Sequence, residues 1–236
     1  MPSHATFVDL KINAAEQFKE SVSEPAATVI YLTFGKVAAW ANEASPDTAN
    51  TAIVTTREVW SNMIGGKKVL GGDMSHVISR VDWTANTVYT AYDDALPGLY
   101  NTNFYAMNSD YSVYKCISNN RGGLSTVEPT SINPATTTST SDGYVWKYMY
   151  TVSDAEKLRF TTDGYMPVKT LSADDGSLQW QVQTEAEDGT IDAIYLSNVG
   201  IGYANSSNIT ITISGDGQDA SAIASVNTTS NTISSV

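Results

Sequence analysis

From residue 76 onward, apolar and polar residues alternate with a period of two, which is the pattern of strands that bury one face. β-Branched and aromatic residues, which suit a pleated sheet, prevail in these segments. The clearest segments are residues 76–83, 87–90, 103–107, 111–117 and 144–152. The pattern predicts a mainly β fold (α+β only in minor part), with β-sandwich-like domains and a few short helices.

Before residue 76 the pattern predicts two helices and one strand. Residues 11–22 place apolar side chains at helical intervals, with Asn13 and Glu16 at the spacing of a capping box. Residues 28–34 are β-branched and aromatic and predict a buried strand. A second helix is predicted at residues 56–64. Its apolar stripe is formed by Val59, Trp60 and Met63.

Composition changes after residue 171. We expect residues 1–171 to form one mostly β domain with N-terminal helices, and residues 172–236 to form a C-terminal β-repeat module punctuated by glycines. Its predicted strands are residues 178–184, 190–197, 209–213, 220–226 and 232–236. Residues 190–194 resemble residues 232–236, which indicates an internal repeat. Because the second copy has no continuation, we expect the module to be incomplete.

Residues 119–141 predict a long surface loop. They contain few large apolar residues and many Thr, Ser, Pro and Gly residues. Such a composition is poorly suited to a core, and loops of this length in compact domains usually have a function. We therefore expect this loop to be an interaction arm rather than part of the core.

The balance of charge argues against two classes of partner. The chain has 13 Lys and Arg residues against 25 Asp and Glu residues, a net charge of −12. Nucleic acids and anionic membrane surfaces both require a basic face on the protein that binds them. We therefore expect neither nucleic acid nor a membrane among the partners.

Residues with catalytic or metal-binding chemistry are scarce. There are two histidines and one cysteine, Cys116, so an intrachain disulfide is impossible and a Cys-based zinc site is excluded. Adjacent carboxylates occur at Asp93–Asp94 and Asp174–Asp175, and a glycosidase needs two carboxyls that face each other across a cleft. Neighbouring aspartates before small residues are more typical of solvated turns. We predict no catalytic site, no cofactor and no metal.

Five separated blocks of the sequence resemble one known protein family. The blocks are residues 29–35 with Trp40, residues 59–65, residues 76–83, residues 113–116 and residues 142–150. In this order they are similar to the dimeric peripheral baseplate wedge subunit of T-even-type contractile-tailed bacteriophages, over roughly residues 25–170. The resemblance implies a mainly β structural protein without enzymatic activity or cofactor. It also implies a location in the virion tail baseplate, after assembly in the host cytoplasm.

The role that the resemblance implies is mechanical. A wedge subunit binds a second copy of itself and other wedge proteins, and holds its neighbours in one arrangement before host contact and another after it. Two alternatives stay open, namely a tail-associated carbohydrate-binding or carbohydrate-cleaving module and a free β-sandwich enzyme that uses carboxylates. Facing carboxylates in an aromatic cleft would favour an enzyme, whereas an extended apolar interface would favour a wedge subunit.

Residues 76–117 and 143–150 supply more tyrosine and tryptophan than the core of one domain of this size needs, and we expect the interface at or beside residues 83–114. These residue types are enriched at the centres of protein interfaces. Because the family resemblance implies a dimer, we expect a two-fold interface with the same patch on both copies. The candidate interface residues are Trp83, Tyr89, Tyr92, Tyr105, Tyr111 and Tyr114.

Overall fold

The computed structural model divides into two compact units, Met1–Val77 and Ile78–Val236. It describes residues 7–35, 37–186, 191, 194, 196, 198–203, 208–215 and 219–236. Among these residues, no helix combines the length and the apolar character needed to cross a membrane. The sequence-based division after residue 171 stays a prediction.

The first unit contains two helices and a two-stranded ribbon. Its elements are α1 (Phe7–Ser23), β1 (Ile30–Phe34), α2 (Ile53–Asn62) and β2 (Gly65–Val69). The two strands pair antiparallel, with Leu32 opposite Lys67. Gly65 lies against the Phe34 ring, and a Cβ atom at that position would lie 2.8 Å from the ring, so any larger residue would displace the Phe34 side chain.

A strand at residues 28–34 is confirmed as β1, but its predicted burial is wrong because most of its side chains are exposed, and the predicted helix starts are wrong too. α1 already includes Phe7, so Asn13 lies inside the helix rather than at its N-cap. An interior asparagine costs only about 0.7 kcal/mol relative to alanine, and continuing the helix gains further hydrogen bonds. α2 begins at Ile53, three residues before the predicted start. β2 was not predicted because glycine and lysine are poor strand formers, and pairing with β1 overrides that preference.

The second unit is built on a four-stranded antiparallel sheet, and mainly β is confirmed as the fold class. The chain's remaining helices and strands begin with β3 (His76–Ser79), which crosses the boundary between the units. They continue with β4 (Tyr105–Met107), β5 (Ser112–Asn119), β6 (Thr137–Ser139), β7 (Tyr144–Thr151), α3 (Asp154–Phe160), β8 (Tyr165–Val168), α4 (Leu178–Thr184), β9 (Asn208–Ile211), β10 (Ala222–Asn227) and β11 (Thr232–Ser235). The strand order of the main sheet is β4–β5–β7–β6, β3 pairs with β8, and the C-terminal sheet has the order β11–β10–β9.

Aromatic side chains on one face of β7 form the centre of the core. The Trp146 ring stacks on Tyr144 with 5.5 Å between the ring centroids, and meets Tyr89 edge-on at 5.3 Å. Leu178 and Val182 of α4 pack against the same group. Because each large aromatic ring buries about 150–250 Å², this cluster supplies much of the apolar burial that holds the sheet together.

The strand predicted at residues 178–184 is wrong, because this segment is the helix α4. Its Leu, Trp and Val residues alternate as in a strand. However, the Ser177 hydroxyl accepts the Trp180 N–H at 3.2 Å, which caps a helix, and Leu178 and Val182 then lie on one helical face against the core. Most of the predicted strand at residues 190–197, with the first repeat copy, lies outside the described residues.

A pair of tryptophan substitutions tests this picture of the core. Trp146 is fully buried, whereas Trp60 on α2 is 66% exposed. We expect Trp146→Ala to lower the free energy of unfolding by about 3–5 kcal/mol, because it leaves a large cavity. Trp60→Ala should change it by about 0.5 kcal/mol or less. Urea unfolding followed by far-UV circular dichroism measures both, and equal losses would contradict the assignment of the core.

Candidate interaction surfaces

The structure divides the six aromatic interface candidates between the core and the surface. Tyr89 and Tyr114 are each 1% exposed and belong to the core cluster, which corrects their placement at a surface. Tyr114 faces inward because alternate residues of a strand point to one side of the sheet. The backbone of Tyr89 is also fixed to the sheet, because its N–H donates to the hydroxyl of Tyr144 at 3.2 Å.

The other four candidates are at least partly accessible. Trp83 is half-buried, and its indole N–H donates to the Ser125 hydroxyl at 3.0 Å. The Tyr105 hydroxyl donates to the Ser79 carbonyl at 2.7 Å. Lys157 Nζ lies 3.9 Å from the ring centroid of half-buried Tyr111. That these residues contact a partner stays a prediction.

The fourth accessible candidate, Tyr92, belongs to a group of four rings that we call the aromatic patch. The patch consists of Tyr92, Tyr100, Phe104 and Tyr105. Phe104 lies at its centre, with ring centroids at 5.7 Å from Tyr92, 6.4 Å from Tyr100 and 5.0 Å from Tyr105. Tyr100, which was not among the candidates, is 67% exposed.

A lysine and neutral tyrosine hydroxyls border the apolar rings of the aromatic patch. Lys115 Nζ lies 4.4 Å from the Tyr92 ring centroid, within cation–π range. Burial raises the pKa of the Tyr92 hydroxyl, with a smaller contribution from the charge of Asp94, and burial also raises the pKa of Tyr105. Both hydroxyls are therefore neutral at physiological pH, and the Tyr105 hydroxyl already donates its hydrogen bond to the Ser79 carbonyl. Tyrosine is one of the residue types enriched at interface hot spots.

The long loop at residues 119–141 is a packed layer in part, which corrects its description as an arm outside the core. Ser125 and Pro129 are fully buried. The Asn108 side-chain amide donates to the Pro129 carbonyl at 3.0 Å, and so fixes the loop to the turn between β4 and β5. Small residues can be buried here because the backbone itself packs and its polar groups have partners.

Asp142, at the end of this loop, holds the loop to the sheet. Its Oδ2 atom accepts the backbone N–H groups of Thr126 at 2.7 Å and Val127 at 2.9 Å. Its Oδ1 atom accepts the Thr140 hydroxyl and the Tyr144 N–H. Burial by itself would raise the pKa of Asp142, but these hydrogen bonds outweigh it and lower the pKa to about 2. The carboxylate is thus ionised and acts as a clasp.

The first unit leaves most of its large apolar side chains in water. Within the described residues of this unit, only Val22 is a buried hydrophobic residue. Tyr31 and Leu32 point to opposite faces of the ribbon, as neighbouring residues of a strand do, and each is 64% exposed. Both faces of the ribbon are therefore uncovered. The predicted stripe on α2 is likewise exposed at Val59 and Trp60, and apolar exposure on this scale marks an interaction surface.

The cysteine and the paired aspartates, which were the candidates for catalytic or metal-binding roles, lie in structural positions. Cys116 is completely buried, and burial raises the pKa of its thiol to about 12, so the reactive thiolate is not formed near neutral pH. The Asp93 and Asp174 carboxylates accept backbone N–H groups two residues further on, which confirms their interpretation as turns. Across the part of the chain that the structure describes, no group of three His, Cys, Asp or Glu residues could hold a metal.

One cavity of about 240 Å³ lies in the second unit. Its lining residues include Arg80, Asp82, Trp83, Tyr111 and Glu128. Arg80 Nε lies 2.8 Å from Asp82 Oδ1, and the Glu128 carboxylate accepts the Ser109 N–H at 2.7 Å. Both lining carboxylates are thus already bound by groups of this chain, an arrangement more typical of structural pairs than of an acid–base pair.

A comparison with models of protein families identifies a family that part of this chain matches. The model of the family of bacteriophage T4 Gp8 matches residues 6–121, just under half of the chain. Residues 6–121 belong to the Gp8 family of T4-type baseplate wedge proteins. The Gp8 match contains the described part of the first unit and the whole aromatic patch, and it gives the chain a structural role in a phage baseplate. No curated protein matches the chain.

Asp142 provides a test of the loop clasp by pH. Because its folded pKa of about 2 lies below the ordinary value near 3.9, the carboxylate stabilises the fold above about pH 4 and loses this effect as the pH falls towards 2. We expect Asp142→Asn to lower the free energy of unfolding at pH 7 by about 1–3 kcal/mol and to reduce its fall between pH 5 and pH 2. Urea unfolding across this range measures both effects.

The matched control is Asp94→Asn, which changes an exposed aspartate. It should leave stability within about 0.5 kcal/mol of the natural chain. If Asp142→Asn behaved like this control at every pH, the clasp would not contribute to the fold.

Proposed function

We propose that this chain is a baseplate wedge subunit that holds neighbouring wedge proteins and takes part in baseplate assembly and in its rearrangement on host attachment. One observation carries the proposal: the Gp8 match covers the described part of the first unit, and it is there that large apolar side chains of a strand and a helix lie in water. A surface of this kind suits a protein whose neighbours complete its packing.

The energetics of the first unit support this reading. A two-stranded ribbon is marginally stable in water unless another layer covers it. Covering one Leu, Val or Phe side chain contributes about 1.5–3 kcal/mol. Tyr31, Leu32, Phe34 and Trp60 together would therefore contribute several kcal/mol when neighbouring subunits cover them. This gain is made only in the assembled state, so it favours assembly.

The aromatic patch is the contact that we propose for the second unit. Tyr92 and Tyr100 present exposed rings, and Lys115 supplies a cation beside them. We propose that the sequence-predicted candidates that remain at least partly accessible also contact a partner, namely Trp83, Tyr92, Tyr105 and Tyr111.

The proposed partners are a second copy of this chain and other wedge proteins, within the virion tail baseplate after assembly in the host cytoplasm. We also propose that the chain has no enzymatic activity. The structural nature of the Gp8 family supports this, as does the engagement of Asp82 and Glu128 by donors of this chain.

Incorporation into tails tests the proposed role. Tails of the phage that encodes this chain would be purified on a density gradient and probed for the chain after complementation with variants. We expect the natural chain to travel with the tails. Trp60→Lys should reduce incorporation about tenfold or more, which corresponds to a loss of about 1.4 kcal/mol of binding free energy.

The control variant is Ile201→Lys, at a residue that is 87% exposed and lies outside the Gp8 match. It should be incorporated like the natural chain, and circular dichroism should show that both variants are folded. Absence of the natural chain from purified tails, or equal incorporation of both variants, would contradict the proposal. Selective binding of a host glycan that depends on Tyr100 would instead favour the carbohydrate-binding alternative.

A further inference from the structure

The two outer edges of the ribbon in the first unit differ in character. β2 carries the exposed lysines Lys67 and Lys68, and lysine on an edge strand is a common protection against pairing with another chain. β1, with the sequence Ile-Tyr-Leu-Thr-Phe, has no charge, no proline and no bulge. Within the described residues its only sheet partner is β2. β1 therefore presents an unprotected edge.

Side chains on both faces of β1, beside this unprotected edge, are also exposed. Alternate N–H and C=O groups of an edge strand point away from its partner strand and are available to another strand. The side chains of Leu32 and Phe34 on one face and Tyr31 on the other are all more than half exposed. A strand added beside β1 would thus gain hydrogen bonds and apolar contacts on both faces.

The distribution of charge favours a second copy of the chain as the occupant of this edge. Residues 1–77 contain six Lys and Arg residues against eight Asp and Glu residues, a net charge of −2. Residues 78–236 contain seven basic residues against seventeen acidic ones, a net charge of −10. Two copies of an acidic chain repel each other, and the repulsion is least where the nearly neutral units meet.

We propose that two copies of this chain pair β1 with β1, antiparallel about a two-fold axis, to form one four-stranded sheet of order β2–β1–β1–β2. An antiparallel pairing of one strand with itself satisfies two-fold symmetry without any further segment. The proposal rests on the dimer included in the proposed function and identifies its contact.

The area available is consistent with such an interface once α2 contributes. At roughly 100 Å² for each of three exposed side chains on two copies, β1 supplies about 600 Å², whereas a specific interface buries about 1,200–2,000 Å². The remainder must come from other exposed apolar residues of the same unit, among which Ile53, Val54 and Trp60 of α2 are candidates.

Cysteine cross-linking tests the pairing directly. Because paired residues of antiparallel strands point to the same face, a two-fold pairing must place one residue opposite its own copy. Tyr31→Cys, Leu32→Cys and Thr33→Cys would be made one at a time in the full chain and oxidised mildly. Opposite residues have Cβ atoms about 4.5–5.5 Å apart, close enough for a disulfide with small adjustment. The natural Cys116 is fully buried and should form no cross-link.

The matched control is Lys68→Cys, since Lys68 is the register partner of Tyr31 on the opposite edge. In the proposed sheet the two copies of residue 68 would lie about 14 Å apart, which is three strand spacings of about 4.8 Å. We expect one β1 variant to form disulfide-linked dimers at least ten times faster than this control. Faster cross-linking of Lys68→Cys would show that β2 is the pairing edge and would overturn the proposal.

Sedimentation at micromolar concentration provides the second measurement. The natural chain should sediment at twice its mass, and Leu32→Lys should raise the dimer dissociation constant at least tenfold without changing the circular dichroism spectrum. A natural chain that sediments as a monomer would overturn the pairing. A dimer that no β1 variant cross-links and that Leu32→Lys leaves intact would overturn it too. The wedge role would survive both results, because incorporation into tails measures it separately.

Discussion

The packing of Trp146 between Tyr144 and Tyr89 is the interaction on which the fold of the second unit depends. It fixes β7 at the centre of the main sheet, and α4 packs against the same rings. The loop that Asp142 clasps depends on it as well, because Asp142 and Tyr144 are two residues apart and share a hydrogen bond. One apolar cluster thus positions the sheet, a helix and a long loop.

The first unit lacks such a buried aromatic cluster. The chain therefore combines one unit with a complete core and one unit whose apolar side chains are exposed to neighbouring proteins. The ribbon and α2 of the first unit keep side chains such as Leu32 and Trp60 in water. Proteins that act only in an assembly can leave part of their apolar surface uncovered until a neighbour arrives, since packing and association then use the same contacts. The Gp8 match places this uncovered part within a baseplate family.

The sequence predicted the parts of the fold in which local pattern and tertiary packing agree. β5 and β7 were found because alternation and aromatic content both favour strands there, whereas β1 was found from its β-branched and aromatic residues alone and its predicted burial was wrong. α4 was missed because its alternation also fits a helix once Ser177 caps it. For the candidate site, period alone could not tell which tyrosines face the core, so Tyr114 was assigned to a surface. The exposed Tyr100 lies in a turn-rich stretch where no period identifies its face.

Hydrogen–deuterium exchange of the free chain and of the chain in purified tails tests most directly whether the first unit is completed by assembly. The account predicts that amides of Ile30–Phe34 exchange rapidly in dilute free chain and are slowed at least tenfold in tails. Amides of Tyr144–Thr151 should be protected in both states, because their core is complete within the chain. Equally rapid exchange of Ile30–Phe34 in tails would contradict the account.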